Sequence, residues 1–198
     1  KKLISKDGLW LDIGSYYGGL QGIVKKYNPE IKIFLLDFNH QLLRSYIYLK
    51  NLYPNANHIL PSKVKEYKNS KQLPSGSIVY VEINDFKTLS KFNFDLVTNF
   101  VSFGEMKKKT FNEYFKSKIF EHSKNIYLIN RFCSSPFFEK TYDDQINIFD
   151  YKTDKNISYF DIFPMGHYNI LRRKIYNREF FRNISSPYFE LIYSFKDG

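Results

Sequence analysis

The chain has 198 residues, 43% of them hydrophobic, and a formal net charge of +10, so it can bury a core and is not wholly disordered. No apolar run approaches the ~20 residues that span a bilayer. The single cysteine, Cys133, excludes a disulfide framework and a cysteine-based zinc site. These features and the lack of a signal-peptide apolar region favour a cytoplasmic setting. The chain does not begin with Met, which indicates that an N-terminal segment can precede it.

The basic charge is an ambiguous feature. A basic balance is typical of proteins that bind nucleic acids or anionic membranes. Here, however, 24 Lys stand against 6 Arg, whereas nucleic-acid readers rely on Arg for bidentate contacts. We therefore interpret most of the charge as solvated surface lysine, with a polyanion site as the alternative.

Strand and helix signals alternate along the first two thirds of the chain. They predict strands at 8–13, 31–37, 77–82, 94–99 and 125–130, and helices at 18–27, 41–53 and 108–121. Residues 55–76 form a long polar connection, and 145–162 carry no clear signal. Two late strands, 167–176 and 188–195, are expected to be antiparallel at the sheet edge. This order predicts one α/β domain over 1–198, with a mostly parallel seven-stranded sheet and helices on both faces.

The most informative segment is the glycine turn after the first strand, DIGSYYGG over residues 12–19. Open α/β sheets bind ligands beyond the carboxyl ends of their strands. Glycines let the backbone turn tightly, and the helix that follows offers unpaired N–H groups. A ligand site is therefore expected here, the alternative being a turn with a structural role only.

Two classes of cofactor fit such a turn. Dinucleotides need G-x-G-x-x-G for their pyrophosphate, whereas Tyr16 occupies the position of the second glycine and disfavours an NAD-type dehydrogenase. S-adenosylmethionine has no pyrophosphate, and its ammonium group can pair with Asp12, directly or through water. Asp37 closes the second strand 23 residues after Gly14, where one carboxylate can accept both ribose hydroxyls. The sequence therefore favours S-adenosylmethionine as the cofactor.

Three blocks carry a family resemblance: LDIGSYYGGLQGIV, LLDFNHQLLRSYIYLKNLYP, and FDLVTNFVSFGEM with the later YLINR, together covering roughly residues 9–131. They resemble the class I S-adenosylmethionine-dependent methyltransferases and, more narrowly, the sugar O-methyltransferase family. All class I enzymes share the turn, and the SFGEM block is more specific. The resemblance implies a Rossmann-like class I methyltransferase fold. Ser15 and Tyr16 depart from the small residues common in the turn, and the C-terminal third matches no known pattern, so the acceptor stays open.

The resemblance also implies which positions surround the cofactor. They are Asp12, Gly14, Ser15, Tyr16, Gly18, Asp37, Phe38, Asn84, Asp85, Asn99 and Ser102. In the resembled fold the loop after the third strand borders the adenine, so Asn84 or Asp85 would take its amino group and Phe86 would pack on its face. A plain turn is the alternative for this loop.

The acceptor side has its own candidates. A hydroxyl acceptor calls for a general base. His167 is the first candidate, because it lies in the segment of about 132–168 that is expected to elaborate the acceptor side. Glu105 is the second, although it could simply favour a helix N-terminus. Asn130 and Arg131 could hold an acceptor carboxylate or phosphate, the alternative for Arg131 being a surface ion pair. Arg172 and Arg173 add to the preference for an anionic sugar.

The sequence thus favours a methyltransferase that acts on a hydroxyl of a sugar or glycan. No His/Asp/Glu cluster has ligand spacing, so the sequence names no metal ligands and leaves metal dependence open. A nucleic-acid methyltransferase would suit the charge. It is disfavoured because the chain has TNFVSF where base N-methylating enzymes have Asn/Asp-Pro-Pro-aromatic, and it lacks a Pro-Cys nucleophile. A non-catalytic nucleotide-binding module on the same fold is a further alternative. The sequence predicts no oligomeric state.

Overall fold

The computed structural model describes residues 3–134, 144–164, 170–175, 178–183 and 186–194, and for 170–175 and 178–183 it describes the backbone only. The chain divides into two compact units. The first comprises residues 1–99 and 116–126, and the second comprises residues 100–115 and 127–198. That the whole chain acts as one domain stays a prediction.

The first unit is built on parallel strands. Their bounds are β1 Leu9–Ile13, β2 Lys32–Asp37, β3 His58–Ile59, β4 Ile78–Glu82 and β5 Leu96–Phe100, of which Phe100 belongs to the second unit. They pair in the order β3-β4-β2-β1-β5, all parallel. All five residues of β1 are buried, as expected for a parallel strand that is covered on both faces. The short β3 lies in the connection for which the sequence predicted no strand.

Helices follow the strands of this unit. They are α1 Gly19–Tyr27, α2 Asn39–Leu52 and α3 Pro61–Val64, with 3₁₀ turns at Ser70–Gln72 and Ile83–Lys91. The helix predicted at 108–121 is two helices, α4 Lys108–Phe115 in the second unit and α5 Lys118–His122 in the first. The break lies at Ser117, whose extended backbone (φ −80°, ψ 157°) makes it the N-cap of α5, a position that serine favours. None of the described helices is both long and apolar enough to cross a membrane.

A buried lysine joins three segments of the first unit. The Lys25 ammonium group, at the end of α1, donates to the backbone carbonyls of Pro29 (2.6 Å), Ile31 (3.1 Å) and Gly76. Lys25 is 4% exposed, and Ile31 and Gly76 are buried, so the carbonyls of these two residues have no easy substitute in water. We expect Lys25→Met to lower the free energy of unfolding by about 2–3 kcal/mol, since it strands buried acceptors.

Urea denaturation measures this effect, with Lys26→Met as the matched control because Lys26 is the exposed neighbour of Lys25 on the same helix. An equal, small effect of both substitutions would contradict the structural role of Lys25.

The second unit contains antiparallel strands. Their bounds are β6 Asn125–Arg131, of which the last five residues belong here, β7 Asn156–Phe163, β8 Ile170–Ile175, β9 Arg178–Asn183 and β10 Tyr188–Ser194. β6, β10 and β7 are neighbours in that order, and β7 is antiparallel to β10. β8 and β9 form a separate antiparallel hairpin.

Two expectations change here. Of the two late strands, only the second, β10, joins a larger sheet, because the first pairs within the hairpin. The sequence predicted seven strands, one of which pairs in the hairpin. β3 and β7 had no sequence signal, so the described strands outside the hairpin number eight rather than seven. The prediction of an α/β Rossmann-like fold with a mostly parallel sheet and an antiparallel edge is confirmed.

An aromatic cluster forms the core of the second unit. Tyr151, which closes a 3₁₀ turn at Ile148–Tyr151, lies 4.9 Å from the ring centroid of Phe111 on α4 and 5.0 Å from that of Phe189 on β10. The Tyr193 hydroxyl donates to the Tyr151 carbonyl at 2.5 Å. Aromatic pairs at this spacing add to the stabilisation that their burial provides.

Candidate functional site

The turn after β1 adopts a backbone that few sequences allow. Gly14, Tyr16 and Gly18 have φ angles of 76°, 54° and 86°, all in the left-handed region. Glycine reaches this region without strain, whereas Tyr16 does so at a cost. A Cβ on Gly18 would lie only 3.0 Å from Leu49 on α2. Gly14 and Gly18 therefore serve the turn, as the sequence suggested, and Tyr16 is held there by its surroundings.

Asp37 is the residue that holds Tyr16. One carboxylate oxygen of Asp37 accepts the Tyr16 N–H and the other accepts the Phe38 N–H, both at 2.8 Å. The Ser45 hydroxyl of α2 donates to the Tyr16 carbonyl at 2.6 Å. Each Asp37 oxygen keeps a lone pair, so the carboxylate can still accept two hydroxyl groups from a ligand. Burial raises the pKa of Asp37 above its usual range, and the two backbone N–H donors oppose that shift.

Asp12 lies at the centre of a buried hydrogen-bond network. The Gln21 side-chain amide on α1 and the Thr98 hydroxyl on β5 donate to its two oxygens. The Trp10 indole N–H donates to the same Thr98 hydroxyl at 2.8 Å. Asp12 is 3% exposed, and burial raises its pKa to about 7, with the nearby Asp37 charge acting in the same direction. Buried carboxyl groups with a strongly raised pKa recur at functional sites.

Two buried polar atoms beside this network have no hydrogen-bond partner within the described parts of the chain. They are Ser15 Oγ, in the turn itself, and Gln21 Oε1, on the amide that also holds Asp12. Leaving such atoms unpaired costs about 1–3 kcal/mol each. A hydroxyl and an amide oxygen flanking a carboxylate suit a polar, cationic ligand group, so the residues present fit the amino acid end of S-adenosylmethionine.

Aromatic side chains border the turn. Phe38 is 56% exposed, and its ring stacks on that of His40 with a centroid distance of 5.8 Å. Tyr16 is also exposed, and its ring meets that of Tyr17 edge-on at 5.2 Å. These exposed rings offer flat apolar surface next to the Asp37 carboxylate.

The remaining candidates of the first unit are less well placed. Asn84 is exposed, and Asp85 pairs with Lys65 at 2.9 Å. Phe86 is only 6% exposed, so little of its ring is open to a ligand. Asn99 is fully buried and donates through its amide to the Ile13 carbonyl at 2.8 Å. The Asn99 amide therefore fastens β5 to β1 at the turn.

In the second unit the segment after β5 contains a strained residue. Val101 has φ 72° and ψ −35°, a conformation that is a genuine outlier for a β-branched residue. Its N–H donates to the Ile129 carbonyl at 2.7 Å, and its carbonyl accepts the Gly104 N–H at 3.0 Å. Strain of this kind collects at functional sites. Val101 is the N-cap of the 3₁₀ turn Ser102–Glu105, and the first and last residues of this turn are two of the candidates from the sequence.

We expect Val101→Gly to raise the free energy of unfolding by about 1 kcal/mol, because glycine relieves 1–3 kcal/mol of strain but adds entropy to the unfolded chain. Urea denaturation measures the change. Val81→Gly, in the buried strand β4, should destabilise instead. A loss of stability at Val101 similar to that at Val81 would contradict the assignment of strain.

Glu105 and Arg131 are brought together in this unit. Burial raises the pKa of Glu105, and the Arg131 charge partly offsets that shift. Arg131 donates through Nε to the Tyr188 hydroxyl at 3.0 Å and lies over its ring. Asn130, the neighbour of Arg131 on β6, is fully buried. His167 lies outside the described residues, as do the side chains of Arg172 and Arg173. The described residues contain no group of three or more metal-ligating side chains.

Several of these residues escaped the sequence reasoning. Thr98 is a polar residue inside a buried strand, and Gln21 lies on the buried side of an amphipathic helix, so both carried a weak signal. Trp10 shares a strand face with Asp12, two residues away. No sequence signal distinguishes the strained Val101.

Comparisons with solved structures place this geometry in a known fold. The methyltransferase domain of a bacterial Hen1 protein is 12% identical with a TM-score of 0.51, over 96% of this chain and 91% of that one. TehB from Haemophilus influenzae is 12% identical with a TM-score of 0.56, over 96% of this chain and 58% of TehB. A protein from Bacillus halodurans C-125, described as a candidate methyltransferase, is 11% identical with a TM-score of 0.55, over 96% and 94%.

This chain thus spans little more than half the length of TehB. No protein-family model matches the chain, and no curated protein matches it, so the resemblance to sugar O-methyltransferases gains no support from sequence. Likeness at this level of identity establishes architecture rather than activity. The chain therefore has the Rossmann-like fold of the class I S-adenosylmethionine-dependent methyltransferases.

Proposed function

We propose that this chain binds S-adenosylmethionine at the turn after β1 and transfers its methyl group to a hydroxyl of a sugar or glycan. The observation that carries the cofactor assignment is the Asp37 carboxylate, fixed by the N–H groups of Tyr16 and Phe38. Its two remaining lone pairs match the two ribose hydroxyls of a nucleoside. S-adenosylmethionine supplies an electrophilic methyl group on a sulfonium, and the residues of this chain bind and orient it.

The amino acid end of the cofactor belongs at Asp12. The ammonium group pairs with the Asp12 carboxylate, and the unpartnered Ser15 Oγ and Gln21 Oε1 supply further polar contacts. Gly14 and Gly18 give the close backbone approach that the ligand needs. This use of the buried polar atoms explains why the fold tolerates them without partners.

The nucleoside end belongs beside Asp37. The exposed ring of Phe38 provides an apolar surface for the adenine, and Asn84 or Asp85 takes its amino group. The Asn99 amide fixes the backbone of the turn, and Ser102 remains a candidate for the amino acid end. Tyr16 bars the close approach of a pyrophosphate, which favours S-adenosylmethionine over a dinucleotide.

Glu105 and Arg131 are our candidates for the acceptor. A raised carboxyl pKa suits Glu105 to accept a proton from a hydroxyl nucleophile near neutral pH. The terminal guanidinium nitrogens of Arg131 suit a carboxylate or phosphate on the acceptor, with Asn130 beside it. His167 stays a proposed second base. The acceptor thus belongs to the class of anionic sugars.

Methyl transfer from cofactor labelled in its methyl group tests this proposal. Neutral oligosaccharides, uronic acid oligosaccharides, single-stranded RNA and double-stranded DNA are the acceptors to compare. Label in the uronic acid oligosaccharides, lost in Glu105→Gln and Arg131→Gln, is the expected result. Label in RNA or DNA alone would favour a nucleic-acid methyltransferase, which the charge of +10 would suit, and would refute the sugar assignment.

A further inference from the structure

We infer that Thr98 and Gln21 are positioning residues that hold Asp12 for the ammonium group of the cofactor, and that cofactor binding is thereby coupled to release of one proton from Asp12. The inference rests on the proposed function and deepens it. It assigns roles to two residues and a proton linkage to the site.

The geometry places two donors on the Asp12 carboxyl group, and a third donor, Trp10, holds one of them. Asp12 lies opposite Thr98 in the register of β1 and β5, so the Thr98 hydroxyl reaches one carboxyl oxygen. Trp10 donates to the same hydroxyl oxygen, which leaves the hydroxyl hydrogen free to turn toward Asp12. Gln21 approaches from α1 and donates to the other carboxyl oxygen.

The Thr98 hydroxyl can serve both protonation states of Asp12. Its oxygen lies 3.5 Å from the Leu11 carbonyl as well as against Asp12. When Asp12 is ionised, Thr98 donates to it. When Asp12 is neutral, the carboxyl O–H donates to the Thr98 oxygen, and the Thr98 hydroxyl hydrogen turns toward Leu11. Trp10 donates in both states, so the proton can leave or return while the heavy atoms keep their places.

The charges around Asp12 favour the neutral state until a cation arrives. Asp37, at the end of β2, is the charged group that raises the pKa of Asp12 beyond the effect of burial, while the bonds from Thr98 and Gln21 lower it. On α1, Lys25 directs its ammonium to backbone carbonyls and Lys26 is exposed. An ammonium group bound at Asp12 favours the carboxylate. The O–H bond of Asp12 breaks, the electron pair stays on the carboxylate, and the proton goes to the buffer.

Calorimetry with S-adenosylhomocysteine, which carries the same ammonium group, measures the proton directly. Titrations in two buffers with different ionisation enthalpies give the number of protons released per ligand. We expect about one proton at pH 6 and about none at pH 8.5, because Asp12 is then already ionised. Affinity should rise as pH rises through 7, by up to about tenfold per pH unit.

Substitutions of Thr98 and Gln21 distinguish a role in positioning Asp12 from a role in stability alone. Thr98→Val and Gln21→Leu each remove one hydrogen bond to the ionised carboxylate, so each should move the pH midpoint of binding upward by about one unit. Thr98→Ser restores the hydroxyl and should restore the midpoint. Thr153→Val is the matched control, since the Thr153 hydroxyl accepts the Lys155 N–H outside this network.

The outcomes are distinguishable. No binding of S-adenosylhomocysteine at any pH would overturn the proposed function itself. Binding without proton release at pH 6, or an unchanged midpoint in both folded variants, would overturn this inference and leave the proposed function standing. If Thr98→Val does not fold, Gln21→Leu alone carries the same test.

Discussion

Replacing Asp37 with alanine is expected to weaken binding of S-adenosylhomocysteine at least about 100-fold, because two hydrogen bonds to a charged carboxylate, each worth about 1.5–3 kcal/mol, are lost together. The same change leaves the N–H groups of Tyr16 and Phe38 without their acceptor. The left-handed backbone of Tyr16 loses its main restraint, so the turn itself should loosen. Isothermal titration calorimetry at pH 8 measures the affinity, and a thermal melt without ligand measures the loss of stability.

The control for Asp37→Ala is Glu66→Ala, which removes an exposed carboxylate that pairs with the exposed Lys63. It should leave both affinity and melting temperature unchanged. An affinity of Asp37→Ala within threefold of the unmodified protein would show that Asp37 does not bind the ribose, and the nucleoside would then have to bind elsewhere.

Replacing Asp12 with asparagine is expected to separate stability from binding. The amide of the variant can keep the partners Gln21 and Thr98, but it never ionises. Asp12 titrates near pH 7 when folded and near 4 when unfolded, so in that window the folded state holds a proton that the unfolded state has lost. Folding stability due to this group therefore falls as pH rises from about 4 to 7. Above pH 7, Asp12→Asn should therefore be more stable than the unmodified protein, by up to about 4 kcal/mol for a shift of about three pKa units.

The affinity of Asp12→Asn for S-adenosylhomocysteine should fall, whereas its stability rises. Without the carboxylate the ammonium group loses its charged partner, so affinity at pH 8 should fall about 10- to 100-fold and lose its pH dependence. The matched control is Asp95→Asn, because Asp95 accepts the Leu9 N–H and pairs with Lys124 in the same unit. That variant should lose stability and keep its affinity. If Asp12→Asn destabilises the protein at pH 8 and binds as before, Asp12 is a structural residue only.

The elements that the sequence predicted correctly are those whose signal is local. Each strand of the parallel sheet except β3 is a run of apolar residues, and α1 and α2 follow with helical spacing and glycine or proline at an end. Two residues suffice for β3 because β4 supplies its backbone partners. β7 is exposed along seven of its eight residues, so it has no buried face to produce an alternating pattern, and its antiparallel pairing with β10 defines it.

The residues of the candidate site also divide into those with a local sequence signal and those whose roles depend on distant parts of the chain. Asp12, Gly14, Gly18 and Asp37 could be predicted because a turn between a strand and a helix has fixed geometric needs. Thr98 and Gln21 could not, since their roles depend on the register of β1 against β5 and on the way α1 packs over the sheet. The positive φ of Val101 accompanies hydrogen bonds to Ile129 and Gly104, and no local pattern predicts the bond to the distant Ile129.

Isothermal titration of S-adenosylhomocysteine into the unmodified protein at pH 8 tests the central claim most directly. The account requires saturable binding with one ligand per chain, and no comparable binding of NADH, because Tyr16 bars a pyrophosphate from the turn. Absence of binding at millimolar ligand, or tighter binding of NADH, would contradict the assignment of the turn after β1 as a site for S-adenosylmethionine.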